Sequence, residues 1–304
     1  MSDSNVDLTQ RIIDLKNAKN AIILSHNYQL AEVQDIADFV GDSLELSRQA
    51  AKTNADVIVF CGVHFMAETA SIISPDRTVL LPDLHAGCPM ANMITAEALR
   101  EKKKQHPGGV VVCYINSSAA VKAESDICCT SANAVRIVGQ IPPDKEILFV
   151  PDQYLGSYVA AKTGRKMMLW PGYCPTHARI QPQDILRLKA EYPKAKVVVH
   201  PECRTDVTLL ADAVLSTGGM IHFAHENEAK EIIVGTEIGI LHRLRKENPG
   251  KRFIPVSEQA VCPRMKLITL ETILWSLERM EHRIKVPERI RRKARKAVDH
   301  MLAG

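Results

Sequence analysis

Residues 21–28 read AIILSHNY. A run of apolar, largely β-branched residues too short for a helix reads as a buried strand, and here it ends on the polar tripeptide His26-Asn27-Tyr28. The same pattern returns where VVVC precedes Tyr114-Ile115-Asn116 and where AKVVV precedes His200-Pro201-Glu202, so that the tripeptides start 88 and then 86 residues apart. Two further series keep this spacing. Ser43, Ser131 and Thr217, in GDSLE, CTSAN and LSTGG, are 88 and 86 apart. Cys88-Pro89, Cys174-Pro175 and Cys262-Pro263 are 86 and 88 apart, and each follows a strand-like segment (TVLLPD, KMMLWPG, RFIPVSE). Three unrelated residue types sharing one period mark an internal repeat, and a repeat this long is a small domain rather than a solenoid unit.

Each unit opens on a helix (LTQRIIDLKNA, TAEALREKKKQ or QDILRLKAEY), followed by the buried strand and its tripeptide. A second helix follows, as in SSAAVKAES and RTDVTLLADAV, and the hydroxyl residue then opens a further short helix. Another strand (DVIVFCG, EILFVPD, EIIVGTE), a helix and the strand before Cys-Pro complete the unit. Strands alternating with helices imply parallel sheets covered on both faces. The expected fold is α/β: three pseudo-threefold-related α/β/α sandwich domains with small parallel sheets and a site at their central interface. The units are expected at residues 1–93, 94–180 and 181–268, with a C-terminal helical tail at 269–304. The tail reads as two helices broken near Pro287, and Ile290, Ala294, Ala297, Val298 and Met301 form one apolar stripe at helical spacing. Its basic run from Arg289 to Lys296 reads as a solvated helix face.

The chain has 304 residues, 46 % of them hydrophobic and 24 % charged, which excludes disordered and fibrous classes. A formal net charge of +4 is too mild to argue for nucleic acid or membrane. No apolar run reaches the ~18 residues of a membrane span, and MSDSNVDLTQ lacks the features of a signal peptide, so the expected location is cytoplasmic. The eight cysteines are then thiols rather than disulfides. No C-x-x-C pair is present, which argues against a zinc finger or a ferredoxin-type run.

Polar groups beyond the carboxyl ends of parallel strands face the ligand crevice of an open α/β sheet, and three crevices meeting on an axis enclose one pocket. The tripeptides would bring it His26, Tyr28, Tyr114, Asn116, His200 and Glu202, which are acid, base and hydrogen-bonding groups. Ser43, Ser131 and Thr217 would begin helices there. A hydroxyl at that place caps the helix, and the helix start also attracts anions, helped at the third by Gly218 and Gly219. Cys88, Cys174 and Cys262, one per unit, would offer three thiolates. Three cysteines without a fourth protein ligand suit a zinc ion with an open position or a [4Fe–4S] cluster whose fourth iron binds substrate. Cys61 and Cys113 lie in apolar strands and read as buried.

The segments SHNYQLAEVQDIADFVGDSLELS, LPDLHAGCPMA, YINSSAAVKAESDICCTSANA, PDQYLG, WPGYCPTH, HPEC, STGGM and VCPRMK resemble the quinolinate synthase family, the A proteins of bacterial and archaeal NAD biosynthesis, from the first strand to the last Cys-Pro. The resemblance implies three pseudo-symmetric α/β domains around one [4Fe–4S] cluster with three cysteine ligands, Cys88, Cys174 and Cys262, and one open iron. It implies condensation of iminoaspartate with dihydroxyacetone phosphate to quinolinate, phosphate and water. Substrate contacts would fall to His26, Ser43, Tyr114, Ile115, Asn116, Ser131, His200, Pro201, Glu202 and Thr217, with Tyr28 closing over the site. An L-aspartate oxidase or dehydrogenase would supply the iminoaspartate. Some members carry a C-x-x-C-x-x-C run near the last ligand; AVCPRMK contains Cys262 alone, so that redox control is not expected. Glu202 is the expected general base, with His200 or Tyr28 shuttling protons and His26 holding anionic groups. The alternatives are another [4Fe–4S] hydro-lyase acting on a hydroxy acid and a non-enzymatic iron–sulfur sensor.

Overall fold

The computed structural model describes residues 3–303. Among the described residues twelve strands are short and largely buried. They are β1 (Ala21–His26), β2 (Phe39–Gly41), β3 (Val57–Cys61), β4 (Thr78–Leu80), β5 (Val110–Tyr114), β6 (Ile127–Cys129), β7 (Ile147–Val150), β8 (Met168–Leu169), β9 (Lys196–Val199), β10 (Ala213–Val214), β11 (Glu231–Gly235) and β12 (Arg252–Pro255). They form three separate four-stranded sheets with one topology, β2-β1-β3-β4, β6-β5-β7-β8 and β10-β9-β11-β12. Every pairing within them is parallel. Helices connect the strands, so the expected three α/β/α units with small parallel sheets are present.

In this order the chain reverses direction across the sheet between the first and third strand of each unit. That junction is where an open α/β sheet holds its ligand. β1 ends on His26, β5 on Tyr114, and β9 one residue before His200. The repeated tripeptides therefore stand at the three switch points.

Each unit has one strand more than the sequence pattern suggested. RTDVTLLADAV is not one helix: Thr205–Thr208 is helical and Ala213–Val214 is β10. SSAAVKAES is helical only over Ala119–Ala123, and β6 follows at once. These extra strands are two or three residues long and lie at the sheet edges, which is too short to display a period of two. Each ends just before a repeated hydroxyl residue.

The tail forms the helices Leu270–Arg279 and Glu288–Ala303 on either side of Pro287. The first packs against the opening helix Asp3–Ala18, the second against β6 and the helices Ala119–Ala123 and His64–Ile73. Ala294, Ala297, Val298 and Met301 are buried and Ile290 is half-buried. Half of the basic run is spent locally and the rest is exposed. Arg291 and Arg292 pair with Glu288, while Arg295 pairs with Asp299 and donates to the carbonyls of Ile72 and Ile73. The tail thus clamps the first two units together. Among the described residues no helix is long and apolar enough to cross a membrane. Val298→Ala should cost about 2 kcal/mol of unfolding free energy, from lost apolar burial plus the cavity left behind. Lys293→Ala on the exposed face should stay within about 0.5 kcal/mol. Paired urea melts measure both, and equal midpoints would mean the tail is not part of the packed structure.

Candidate active site

One cavity of about 290 Å³ opens where the three units meet. His26, Tyr28, Ser43, Cys88, Tyr114, Asn116, Ser131, Cys174, His200, Glu202, Thr217 and Cys262 all line it. Ile115 and Pro201 stand behind that lining, and the Ile115 N–H is taken by the Cys129 carbonyl at 2.8 Å.

His26 and His200 are held alike. The Nδ1 of each accepts the backbone N–H two residues on, from Tyr28 at 3.2 Å and Glu202 at 3.3 Å. An imidazole that accepts at Nδ1 carries its proton on Nε2. Burial holds both near a pKa of about 3, from an ordinary 6.5, although the Glu202 charge pulls the other way. Both rings are therefore neutral donors.

Glu202 is 3 % exposed. Its Oε1 accepts from Tyr114 Oη at 2.6 Å and Asn116 Nδ2 at 3.1 Å, and its Oε2 lies 2.8 Å from His177 Nδ1. Burial alone would raise this carboxyl, but the neighbouring histidines and the Tyr114 hydroxyl outweigh it and keep it ionised. Asn116 Oδ1 is buried without a partner and can accept a hydrogen bond from a bound molecule.

A second chain of contacts runs from Tyr28. Its hydroxyl lies 2.5 Å from Thr236 Oγ1, which lies 2.8 Å from His177 Nε2. His177 also stacks on His200, with ring centroids 4.7 Å apart. When the imidazole is neutral and donates from Nδ1 to the carboxylate, its Nε2 accepts from Thr236, which in turn accepts from Tyr28. Burial and the Glu202 charge push the Tyr28 and Tyr114 phenols well above their ordinary range, so both keep their protons.

The hydroxyl series needs correction at the helix starts. Ser43 and Thr217 are the first helical residues, and the caps are their predecessors. Asp42 accepts from Leu44 N and Glu45 N, and Ser216 accepts from Gly219 N. In the second unit Thr130 and Asn133 close the turn around Ser131, and the helix begins only at Ala134. Asp42, Thr130 and Ser216 keep the repeat register one place earlier, so capping is done and the next hydroxyl is left for the cavity. Gly218 has a reason other than anion approach: a Cβ there would lie 2.8 Å from Asp42 Oδ2.

Cys88, Cys174 and Cys262 share the cavity wall and are partly exposed, while the other five cysteines are buried. Burial pushes the Cys88 thiol up to about 12 and raises the other two. His177 Nδ1 lies 3.2 Å from Cys174 Sγ. The ligand atoms of Cys174, His177 and Glu202 lie within 4.8 Å of one another, a spacing that can hold a metal.

Sequence reasoning missed His177, Thr236 and Glu237. His177 follows Cys174 by three residues, where Ala91 and Met265 follow the other cysteines, so no repeat marks it. Thr236 and Glu237 follow β11, at the other strand of the switch point, where their counterparts are Gly62-Val63 and Pro151-Asp152. Chain reversal between first and third strands was the available signal, since it puts the ends of both strands at the site.

A family model described as "Quinolinate synthetase A protein" matches residues 10–303. A protein of Dehalococcoides mccartyi named quinolinate synthase is 64 % identical over 295 residues, covering 97 % of each chain. Those so named in Desulforudis audaxviator and Methanosarcina barkeri are 58 % identical over 301 residues and 54 % identical over 297. They cover 99 % of each chain in the first case, and 98 % of this chain and 97 % of the other in the second. The chain belongs to the quinolinate synthetase A family. Its relatives are named as enzymes, and the match runs through all three units and the tail.

The neutral histidines make stability depend on pH. Unfolded imidazoles take up protons below their ordinary 6.5, whereas His26 and His200 in the folded chain do so only near 3. Their share of stability is intact above pH 6.5 and falls with pH below it, at roughly 1.4 kcal/mol per unit for each. Asp152, whose carboxyl is raised by burial and by Glu202, works in the opposite direction, so the slope of a variant is the cleaner readout. His200→Gln should flatten the stability profile between pH 6.5 and 4.5 by about that amount per unit in urea melts. An unchanged slope would mean that His200 is protonated in the folded state.

Proposed function

We propose that the chain makes quinolinate, condensing iminoaspartate with dihydroxyacetone phosphate and releasing phosphate and water. The observation that carries this reading is the convergence on one cavity of three cysteines and a buried acid–base chain, in a member of this family. A cavity near 300 Å³ suits one or two metabolites rather than a polymer.

The donor set fits a [4Fe–4S] cluster. Cys88, Cys174 and Cys262 are three soft sulfur ligands on one wall, and no fourth cysteine joins them there. When bound, such a cluster supplies a Lewis-acidic iron that polarises a hydroxyl or carboxylate oxygen without net electron transfer. A single metal on Cys174, His177 and Glu202 is the competing arrangement. It would leave Cys88 and Cys262 without a task and take His177 out of its chain of contacts.

The other residues divide into anion holders and proton carriers. At the helix starts the caps take the N–H groups of Leu44, Glu45 and Gly219, so the Ser43 and Thr217 hydroxyls on the lining are the donors left to phosphate or carboxylate. Thr217 Oγ1 already accepts from Asn27 at 2.9 Å, so its own proton is available to a ligand. His26 and His200 add neutral Nε2 donors. Arg179 and Arg264, both exposed on the lining, attract dianions to the entrance.

Ring formation needs proton abstraction and proton delivery to departing oxygens. Glu202 and His177 act as a pair. A proton taken from substrate rests on the pair, and the path through Thr236 connects it to the Tyr28 hydroxyl. Held by three donors, Glu202 alone is a weak base, and the imidazole beside it gives an abstracted proton a second place to rest. Iminoaspartate is the chemistry that an L-aspartate oxidase or dehydrogenase would supply, and enclosure shields it from water.

Protein purified without oxygen should contain about four irons and four sulfides per chain and form quinolinate, and Cys174→Ala should lose both. Metal without sulfide would support the single-metal arrangement. A full cluster without quinolinate would support a hydro-lyase, and dehydration of a hydroxy acid would establish it. Within the enzyme, Thr236→Val should lower kcat about 10- to 100-fold with KM little changed, and Thr236→Ser should restore it. Equal rates for Val and Thr would remove the hydroxyl from the proton path.

A further inference from the structure

Glu237 belongs to neither the anion holders nor the proton path, yet its side chain is fully buried on the cavity wall. A buried carboxylate must be matched by donors, and its partners here come from its own loop and from the Cys262 turn. Oε1 accepts the backbone N–H of Cys262 at 3.0 Å, and Oε2 accepts that of Gly239 at 2.7 Å. Lys266 Nζ lies 3.0 Å from Oε1 and 3.3 Å from Oε2. The same ammonium donates to the backbone carbonyl of Tyr28. One ion pair therefore joins the Cys262 turn, the loop after β11 and the loop carrying Tyr28.

Two observations show that this arrangement is specific rather than incidental. A Cβ on Gly239 would lie 2.7 Å from Lys266 Nζ, 2.7 Å from the Tyr28 carbonyl oxygen and 2.8 Å from Glu237 Oε2. Gly239 has ordinary right-handed helical backbone angles, so space and not conformation requires glycine. Gln34 Nε2 adds a second tie between the same loops, donating to Asn27 O, Gln29 O and Gly239 O. The equivalent residues are Val63 after β3 and Asp152 after β7, so the fold is met without an acid in the first unit, and Lys266 is the partner particular to the third.

We propose that Glu237 and Lys266 are positioning residues that lock the Cys262 turn to the loop holding the Tyr28 hydroxyl. Seating of the third cysteine ligand and seating of the proton-carrying phenol then share this ion pair. Glu237 orients the backbone of a metal-ligating cysteine, as outer partners in metal sites do. Lys266 reaches through that carboxylate to the Tyr28 loop. The inference rests on the cluster reading of the three cysteines.

The test uses full-length protein purified without oxygen. Iron, sulfide, the electron paramagnetic resonance spectrum of the reduced protein, kcat and KM are measured for wild type, Glu237→Gln, Lys266→Met, the double variant and Gly239→Ala. Glu237→Gln keeps an acceptor for the Cys262 N–H and loses the ion pair, so iron should stay near wild type while kcat per cluster falls about tenfold. Lys266→Met should lower kcat per cluster by a similar factor with KM little changed, and should shift the resonance spectrum. The double variant should be no worse than the poorer single, because both remove one contact. Gly239→Ala should reproduce the Lys266→Met spectrum. Wild-type spectra and wild-type kcat per cluster in both single variants would overturn the inference, as would additive losses in the double variant. Lower thermal stability alone, with spectrum and kcat per cluster unchanged, would overturn it too. Wild-type protein without iron and sulfide would instead overturn the cluster reading.

Discussion

A carboxylate taken out of water costs several kcal/mol unless donors meet it. Glu202 is met by Tyr114 and Asn116 from the second unit and by His177 from the Cys174 turn, while it sits in the third unit beside His200. No single unit could hold this charge. The joining of the second and third units and the ionised state of Glu202 therefore require each other. The charge then acts on its surroundings: it keeps the Tyr28 and Tyr114 phenols protonated and opposes ionisation of the Cys88 and Cys174 thiols. The apolar strands behind the site, buried on both faces, are what make the local medium so unforgiving of an unpaired charge.

Repetition supplies the frame, and departure from it supplies the chemistry. Three sheets of one topology present the same four places to one cavity: the first strand end, the third strand end, the helix start and the Cys-Pro turn. The Cys-Pro turn is conserved in kind across the units. The first strand ends carry histidine twice and tyrosine once. The third strand ends carry Val63, Asp152 and Glu237, which differ most. A threefold frame with identical residues would give a symmetric pocket, unable to tell two different substrates apart. Differences at the third strand end break that symmetry and assign Cys262 a buried ion pair that Cys88 lacks.

The parts legible in the sequence were those stated three times. The period exposed the three sheets, the tripeptides and the cysteines, because chance does not align three residue types in one register. Ser43 and Thr217 were seen, but their role as caps was misplaced by one residue: Asp42 and Ser216 are equally good capping types, and a side chain's direction is not written in its spacing. The edge strands were hidden because two or three residues cannot show alternation. His177, Thr236 and Glu237 each occur once in the register, and a residue stated once looks like any other strand end or turn. Geometry alone reveals that His177 stands beside Glu202, Thr236 between His177 and Tyr28, and Glu237 beside Cys262.

Anion binding and base catalysis make opposing demands on such a pocket. Fixed cations would attract dianionic substrates, but beside Glu202 they would also lower its basicity and hold the proton path closed. The cavity resolves this with neutral donors. His26 and His200 are kept uncharged by burial, and their Nδ1 atoms are tied to the backbone, so each offers an N–H without a positive charge. The helix starts at Ser43 and Thr217 offer dipoles rather than ions. Arg179 and Arg264 remain exposed at the entrance, where water screens them, and Lys266 is neutralised at contact distance by Glu237. Fixed positive charge is thereby kept at the entrance, while Glu202 inside stays ionised beside the neutral donors Tyr114 and Asn116.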